Sequence, residues 1–125
     1  MTTVSIVYHS GSGHTAKMAD AVAKGAGSIA DVKVQTIAIT GREIVEGRFK
    51  SDAAFAQLDA SDAIIFGSPT YMGGPSGQFK TFADATAGSW FTGKWRDKIA
   101  SGFSVSNSPS GDKFSTLQYF FTLAM

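Results

Sequence analysis

The sequence contains no cysteine, and this absence removes several kinds of chemistry at once. A chain without thiols has no disulfide, no thiolate metal site and no cysteine nucleophile. An excess of charge of one sign is also lacking, since 11 basic and 10 acidic residues give a formal net charge of +1. Such a balance provides no long-range field that favours nucleic acid or a membrane surface. We therefore expect no nucleic-acid partner and no metal site.

Long apolar runs are missing too. No stretch approaches the length that crosses a bilayer, and the N-terminus leads directly into a strand-like pattern, without a basic and apolar leader. We expect a cytoplasmic protein that is not inserted in a membrane. The 125 residues suit one domain with a single core, and the hydrophobic fraction of 43% is ordinary for a globular protein.

The segment from Val4 to Lys24 holds the most informative pattern in the chain. An apolar run ends at Tyr8, a turn of glycines and hydroxyl residues follows, and small apolar residues then recur at helical spacing. In such a unit, backbone N–H groups and the helix dipole favour an anion at the turn, and glycines let a ligand approach the backbone. A turn of this composition is also common without any ligand. The residues of the predicted phosphate site are Ser10, Gly11, Ser12, Gly13, His14 and Thr15.

Three further strand and helix units follow the first one. Runs of β-branched or apolar residues predict strands at Asp31–Thr40, Ala63–Phe66 and Lys98–Val105. Apolar residues at helical spacing predict a short helix capped by Ser51, a helix capped by Ser76 and a last helix over Phe114–Met125. Glycines 25 and 27 are interpreted as stop signals of the first helix, and residues 42–50 as a solvated connection.

Glycine- and serine-rich loops follow the first, third and fourth predicted strands, the last two at Gly67–Gly77 and Ser106–Lys113. Right-handed crossovers turn this order into an open parallel sheet, 2-1-3-4, with helices on both faces. All three loops then leave the carboxyl edge of the sheet, and the first and third strands flank the point where ligands bind in such folds. We expect the three loops to form one crevice.

Several large side chains are assigned to the core or the surface and not to the crevice. His9 is interpreted as a partly buried polar residue at the rim of the sheet, and Trp90 and Trp95, in a predicted loop at Gly88–Arg96, as a cover on the outside of the third helix. The aromatic residues assigned to the core are Phe79, Phe82, Phe120 and Phe121.

Three blocks of the sequence resemble flavodoxin-like FMN proteins, in particular the WrbA-type NAD(P)H:quinone oxidoreductases of the flavodoxin family. The blocks are SGSGHT at Ser10–Thr15, SPTYMGGPSGQFKTFAD at Ser68–Asp84 and FSVSNSPSGDKFSTL at Phe103–Leu117. The resemblance implies an α/β, flavodoxin-like fold, FMN as cofactor and NAD(P)H as electron donor. It implies a quinone as second small-molecule partner, and a homo-oligomer.

The resemblance also implies which residues contact the cofactor. The first block would hold the FMN phosphate. The residues implied beside the isoalloxazine ring are Pro69, Thr70, Tyr71, Met72, Gly73 and Gly74. Those implied along its other side are Val105, Ser106, Asn107, Ser108, Pro109 and Ser110, in a loop that has fewer glycines and threonines than the WrbA pattern. No catalytic side chain is implied, since flavin N5 carries the chemistry. Tyr71 either stacks on the flavin or is a surface aromatic.

The family's sheet has a fifth strand and a final helix that this sequence lacks. We expect residues 1–125 to form a single flavodoxin-like domain without them. The sequence is interpreted as a truncated form, as an abbreviated gene product or as a chain whose last strand comes from a partner.

Three functions compete at this point. The first is two-electron reduction of a quinone by NAD(P)H, with hydride passing through flavin N5. The second is a one-electron carrier, although a docking face for electron donors is usually acidic and the net charge is +1. The third is a domain with impaired flavin binding. A receiver domain is excluded because Phe66 and Gly67 end the third strand, a tyrosine phosphatase because no cysteine is present, and a dinucleotide site because G-x-G-x-x-G is absent.

Overall fold

The computed structural model describes residues Met1–Met125, in which strands and helices alternate. Its elements in chain order are β1 (Thr2–His9), α1 (His14–Gly27), β2 (Val32–Ile39), a 3₁₀ turn (Gly41–Glu43), β3 (Ile44–Val45), β4 (Arg48–Phe49), α2 (Asp52–Asp59), β5 (Ala63–Tyr71), β6 (Gly74–Pro75), α3 (Gly77–Ala85), α4 (Ala87–Thr92), β7 (Ile99–Val105) and α5 (Lys113–Ala124).

Strands β2, β1, β5 and β7 lie side by side in that order and pair in parallel. The register aligns Val7 with Ile37 on one side and with Phe66 on the other, and it aligns Phe66 with Gly102. The predicted order 2-1-3-4 and the α/β class with an open parallel sheet are confirmed. The carboxyl ends of these strands therefore meet at one edge. The outer edge of β7 pairs with no strand.

One cluster of buried apolar side chains joins the sheet to α2, α3 and α5. The ring of Phe79 lies 5.6 Å from that of Phe82 and 5.1 Å from that of Phe120, between centroids, and both pairs are inclined. The core assignment is confirmed for these three residues and wrong for Phe121, which is 63% exposed. Thr116 and Phe120, four residues apart, face the sheet, and the next residue is rotated by about 100° around the helix axis.

The predicted loop at Gly67–Gly77 is wrong in its first half, because β5 continues to Tyr71. A two-residue turn at Met72 and Gly73 then leads into β6, which pairs antiparallel with the end of β5. Both turn residues have positive φ, 48° and 80°. Positive φ at both central residues is the geometry that closes a tight hairpin with the twist of its strands. This segment, Thr70–Pro75, is called the hairpin below.

Three other expectations need correction. The aromatic loop at Gly88–Arg96 contains α4, and Trp90 is 79% exposed instead of covering α3. Trp95 packs beside α2 instead, with its ring 6.3 Å from that of Phe55 and its Nε1 donating to Oδ1 of Asp59 at 2.6 Å. Helix α1 passes through Gly25 and ends at Gly27.

The connection over residues 42–50 is more ordered than expected. It contains the short antiparallel pair β3 and β4, and Phe49 within it is buried, with its ring 5.4 Å from that of Phe82. Mixed charge along the segment hid its apolar contacts, because only Phe49 is fully buried and Ile44 packs against the core while partly exposed.

Two neighbouring phenylalanines, Phe120 and Phe121, test which face of α5 packs on the core. Replacing buried Phe120 with alanine is expected to lower the free energy of unfolding by about 3–5 kcal/mol, because a cavity opens in the core. The matched change Phe121→Ala is expected to alter it by less than about 0.5 kcal/mol, as surface changes usually do. Urea unfolding followed by circular dichroism measures both, and equal losses would contradict the orientation of the helix.

Candidate functional site

The turn between β1 and α1 leaves backbone donors free at the start of a 14-residue helix. Gly13 is the N-cap, with φ of 97° and no side-chain cap. The Ser10 hydroxyl oxygen accepts from the N–H of Gly13 at 3.1 Å and from the N–H of Ala16 at 3.2 Å. The first N–H groups of a helix have no partner within it, so those of His14 and Thr15 are available to a ligand. This is the geometry in which a helix start binds an anion.

The hairpin contacts this turn directly. A Cβ atom on Gly11 would lie 2.2 Å from the phenol oxygen of Tyr71, so only glycine permits the observed approach. The Tyr71 hydroxyl therefore lies against the predicted phosphate turn, and the side chain remains about half exposed. The sequence predicted that Tyr71 either stacks on a flavin or lies at the surface. It did not predict the contact with Gly11, because the two residues lie sixty positions apart in the chain.

The hairpin is joined on its other side to β7 and α5. The Thr70 hydroxyl lies 2.7 Å from that of Ser104 and 2.7 Å from that of Thr116. Pro69 pairs with Val105 in the sheet register, and the Ser104 hydroxyl donates to the carbonyl of Ser68 at 2.8 Å. The second and third loops therefore begin side by side, while the tip of the hairpin, Met72, is fully exposed.

The third loop is held from inside by a lysine that follows it. The ammonium of Lys113 lies 2.6 Å from the Ser106 hydroxyl oxygen, and it donates to the carbonyls of Ser108 and Pro109, each at 3.0 Å. The Ser106 hydroxyl also donates to the Ser108 carbonyl at 2.8 Å. Residues 107–110 are exposed. Sequence reasoning missed Lys113, although its place directly after a polar loop and at the start of a helix was a usable signal.

A buried polar network ties β1 to α3 beneath the loops. Nδ1 of His9 lies 2.8 Å from the Ser76 hydroxyl oxygen, which accepts from the N–H of Phe79 at 3.1 Å as the cap of α3. The N–H of Ser76 donates to the Ser68 hydroxyl at 3.0 Å. The predicted cap at Ser76 and the predicted rim location of His9 are confirmed. Burial lowers the pKa of His9.

The three predicted loops are thus brought to one edge of the sheet. The strand order sets the hairpin between the first turn and the third loop. A cavity of about 260 Å³ lies elsewhere, beside the outer edge of β7, where Trp90, Ile99 and Met125 line it. It contacts none of the predicted site residues, so the candidate site remains the carboxyl edge of the sheet, where the three loops meet.

Two further features of the molecule bear on ligands and membranes. No group of three or more histidine, aspartate or glutamate side chains is arranged to hold a metal ion. None of the helices combines the length and the apolar character needed to cross a bilayer.

Comparison with known proteins defines the class. Residues 4–124 match the family model of NADPH-dependent FMN reductases, so the chain belongs to that family. Among solved structures it is similar to a flavodoxin, WrbA-like protein from Agrobacterium tumefaciens, with 52% identity and a TM-score of 0.86 over 99% of this chain and 72% of that one. The resemblance to flavodoxin-like, WrbA-type FMN proteins and the prediction of FMN as cofactor are confirmed at the level of the family.

Two curated relatives are similar over nearly the whole chain. One is "Flavodoxin FldP" from Pseudomonas aeruginosa, 42% identical over 124 residues, which are 99% of this chain and 61% of the relative. The other is "NAD(P)H dehydrogenase (quinone)" from Syntrophus aciditrophicus, 36% identical over 132 positions, with 95% of this chain and 65% of the relative covered. The chain thus spans less than two thirds of the length of either relative.

The buried histidine predicts how stability depends on pH. Because burial holds the pKa of His9 below its ordinary value of 6.5, the unfolded chain binds a proton that the native chain resists. The free energy of unfolding is therefore expected to fall as the pH drops below about 6.5, and the fall ends at the lowered native pKa. In His9→Gln this part of the fall should disappear. Urea unfolding at a series of pH values measures it, and parallel curves for the two proteins would contradict the assignment.

Proposed function

We propose that this chain binds FMN across the three loops and passes two electrons from NAD(P)H to a quinone. The observation that carries the proposal is the start of α1, where two unpaired N–H groups face the turn that Tyr71 approaches. The family of NADPH-dependent FMN reductases supports the cofactor and the donor. The relative named as a quinone dehydrogenase supports the acceptor.

The phosphate group of FMN would bind at the first turn. The N–H groups of His14 and Thr15 and the helix dipole supply the attraction, and the hydroxyls of Ser12 and Thr15 add donors. The turn contains no lysine or arginine, so neutral donors carry the phosphate. A Tyr71 hydroxyl at Gly11 would lie near the same group.

The ring of FMN would lie between the hairpin and the third loop. Both segments offer mostly backbone groups and small side chains, namely Gly73 and Gly74 on one side and Ser106 and Ser108 on the other. Small residues leave room for a flat ring to stack on a bound flavin. Bound FMN supplies the hydride acceptor and donor. The protein binds and orients the FMN and the substrates, and it excludes competing reactions. No acid, base or nucleophile from the chain is required.

Other parts of the proposal concern the whole chain. We infer a single flavodoxin-like domain over residues 1–125, supported by one cluster of buried apolar side chains. Nicotinamide and quinone are its proposed small-molecule partners. A cytoplasmic location and a homo-oligomer stay predictions.

A one-electron carrier is the second candidate function. The similarity to a relative named as a flavodoxin favours it. The near-neutral charge of the chain, +1, favours the reductase, because carriers usually dock through an acidic face. A domain with impaired flavin binding is the third reading.

One set of measurements separates these functions. The visible spectrum of the purified protein, before and after addition of FMN, reports whether flavin binds, and thermal unfolding with FMN reports stabilisation by a ligand of the folded state. Steady-state oxidation of NADPH with a benzoquinone then tests the reductase. Rapid turnover without a stable semiquinone supports the proposal. A stable semiquinone with slow turnover supports the carrier, and no binding or stabilisation by FMN would overturn both.

Two hydroxyl variants test the phosphate turn. Thr15→Val is expected to weaken FMN binding by about 1.5–3 kcal/mol, the usual value of a hydrogen bond to a charged group. Ser10→Ala removes the acceptor of the Gly13 and Ala16 N–H groups and is expected to weaken FMN binding by loosening the turn. Riboflavin, which lacks the phosphate, should bind the Thr15→Val variant as it binds the wild type. Thr122→Val, a threonine near the end of α5, is the matched control. Isothermal titration with unchanged FMN affinity in both turn variants would count against the site.

A further inference from the structure

The ammonium of Lys113 is fully engaged by the third loop. It has three N–H donors, and three oxygen atoms from residues 106–109 lie within 3.0 Å of it. The side chain is half-buried, so these contacts are less open to competition from water than a surface pair. One cation therefore gathers two backbone carbonyls and one hydroxyl around a single point.

The position of this lysine is unfavourable for the helix itself. Lys113 is the first residue of α5, and the first turn of that helix contains no acidic residue. A cation at a helix N-terminus opposes the helix dipole, typically by 0.3–1 kcal/mol at exposed sites. The charge of Lys113 does not stabilise the helix. It stabilises the loop, through its hydrogen bonds to the loop carbonyls.

The contacts between Lys113 and the loop carbonyls also fix the direction of the loop's backbone N–H groups. The carbonyl of Pro109 faces Lys113, and the peptide bond that follows is trans and planar. The N–H of Ser110 must therefore point away from the lysine, and it has no backbone acceptor within the chain. Gly111, with φ of 53°, then turns the chain back sharply, and a Cβ atom there would lie 2.1 Å from the Ser106 hydroxyl.

We infer that Lys113 is a positioning residue for flavin binding: it draws the loop carbonyls inward and so presents the loop's remaining donors, including the N–H of Ser110, to the ring of the cofactor. The inference rests on the proposed function. It assigns a role to Lys113, which is not among the residues that were expected to contact FMN. Lys113 acts through the loop, because its own donors are occupied.

The test compares two lysines that hold backbone carbonyls. Lys98 donates to the carbonyls of Asp59 and Ser61 just before the amino end of β7, at the opposite end of that strand from the loop. Lys113→Met is expected to weaken binding of both FMN and riboflavin on the order of tenfold, a change that corresponds to about 1.4 kcal/mol. Lys98→Met should leave both affinities unchanged, and Lys113→Arg should restore part of the loss.

Riboflavin separates a loop effect from a phosphate effect. Thr15→Val is expected to weaken FMN alone, whereas Lys113→Met should weaken FMN and riboflavin by the same factor. In the flavin-free protein, amide hydrogen exchange over residues 106–111 should be faster in Lys113→Met than in the wild type. If that variant does not fold, Lys113→Gln, which removes the charge and keeps a polar side chain, takes its place and should weaken binding of both ligands in the same direction.

The outcomes are distinct. A folded Lys113→Met variant with wild-type affinity for both flavins and unchanged exchange would overturn the inference and leave the proposed function standing. Loss of FMN affinity with riboflavin affinity unchanged would assign Lys113 to the phosphate and also overturn it. A wild-type protein that binds neither flavin would overturn the proposed function, and the inference with it.

Discussion

The parallel alignment of β1, β5 and β7 is the constraint on which the candidate site depends. Because the three strands run in one direction and pair in register, their following segments must leave the sheet at the same edge. None of the three segments would form a site alone. The turn offers two N–H groups, the hairpin a tyrosine and backbone, and the third loop a set of exposed small residues. Their joint position is a property of the sheet.

Short polar side chains hold these segments in position. Thr70 contacts Ser104 and Thr116, and Ser76 contacts Ser68 and His9. The two groups meet at Ser68, whose carbonyl accepts from the Ser104 hydroxyl just below the edge. No buried side-chain nitrogen or oxygen lacks a partner. A satisfied buried network resists rearrangement, so the sheet edge beneath the loops is held in one arrangement. Ion pairs have little part in this, and Lys113 is the cation that the loops themselves engage.

The sequence was most predictive where a rule acts over a few residues. Ser51 and Ser76 cap α2 and α3 as expected, because capping depends only on the next three residues. The sequence was less predictive where the structure depends on the rotation of a helix about its axis or on contacts with residues distant in the chain. The burial of Thr116 in place of Phe121 follows from how α5 rests on β7, which apolar spacing alone does not fix. The continuation of β5 into the hairpin depends on pairing with β6.

The contacts within the candidate site were the least accessible to sequence reasoning. The approach of Tyr71 to Gly11 joins segments sixty residues apart, and only the strand order makes them neighbours. Gly11 was expected to let a ligand approach the backbone, and it also lets the Tyr71 side chain approach it. Lys113 stands directly after the polar loop, which was a signal, but its contacts with the loop carbonyls were not predicted because a lone lysine is ordinarily solvated.

Within residues 1–125, the outer edge of β7 is open to pairing with a further strand. Along β7, the backbone N–H and C=O groups that point away from β5 have no strand partner, and Trp90, Ile99 and Phe121 stand exposed nearby. Water satisfies such groups in dilute solution, but an extended peptide of almost any sequence can replace it by main-chain pairing. The sheet that brings the loops together at one end therefore offers, along its β7 side, a row of main-chain groups to which a further strand can be added.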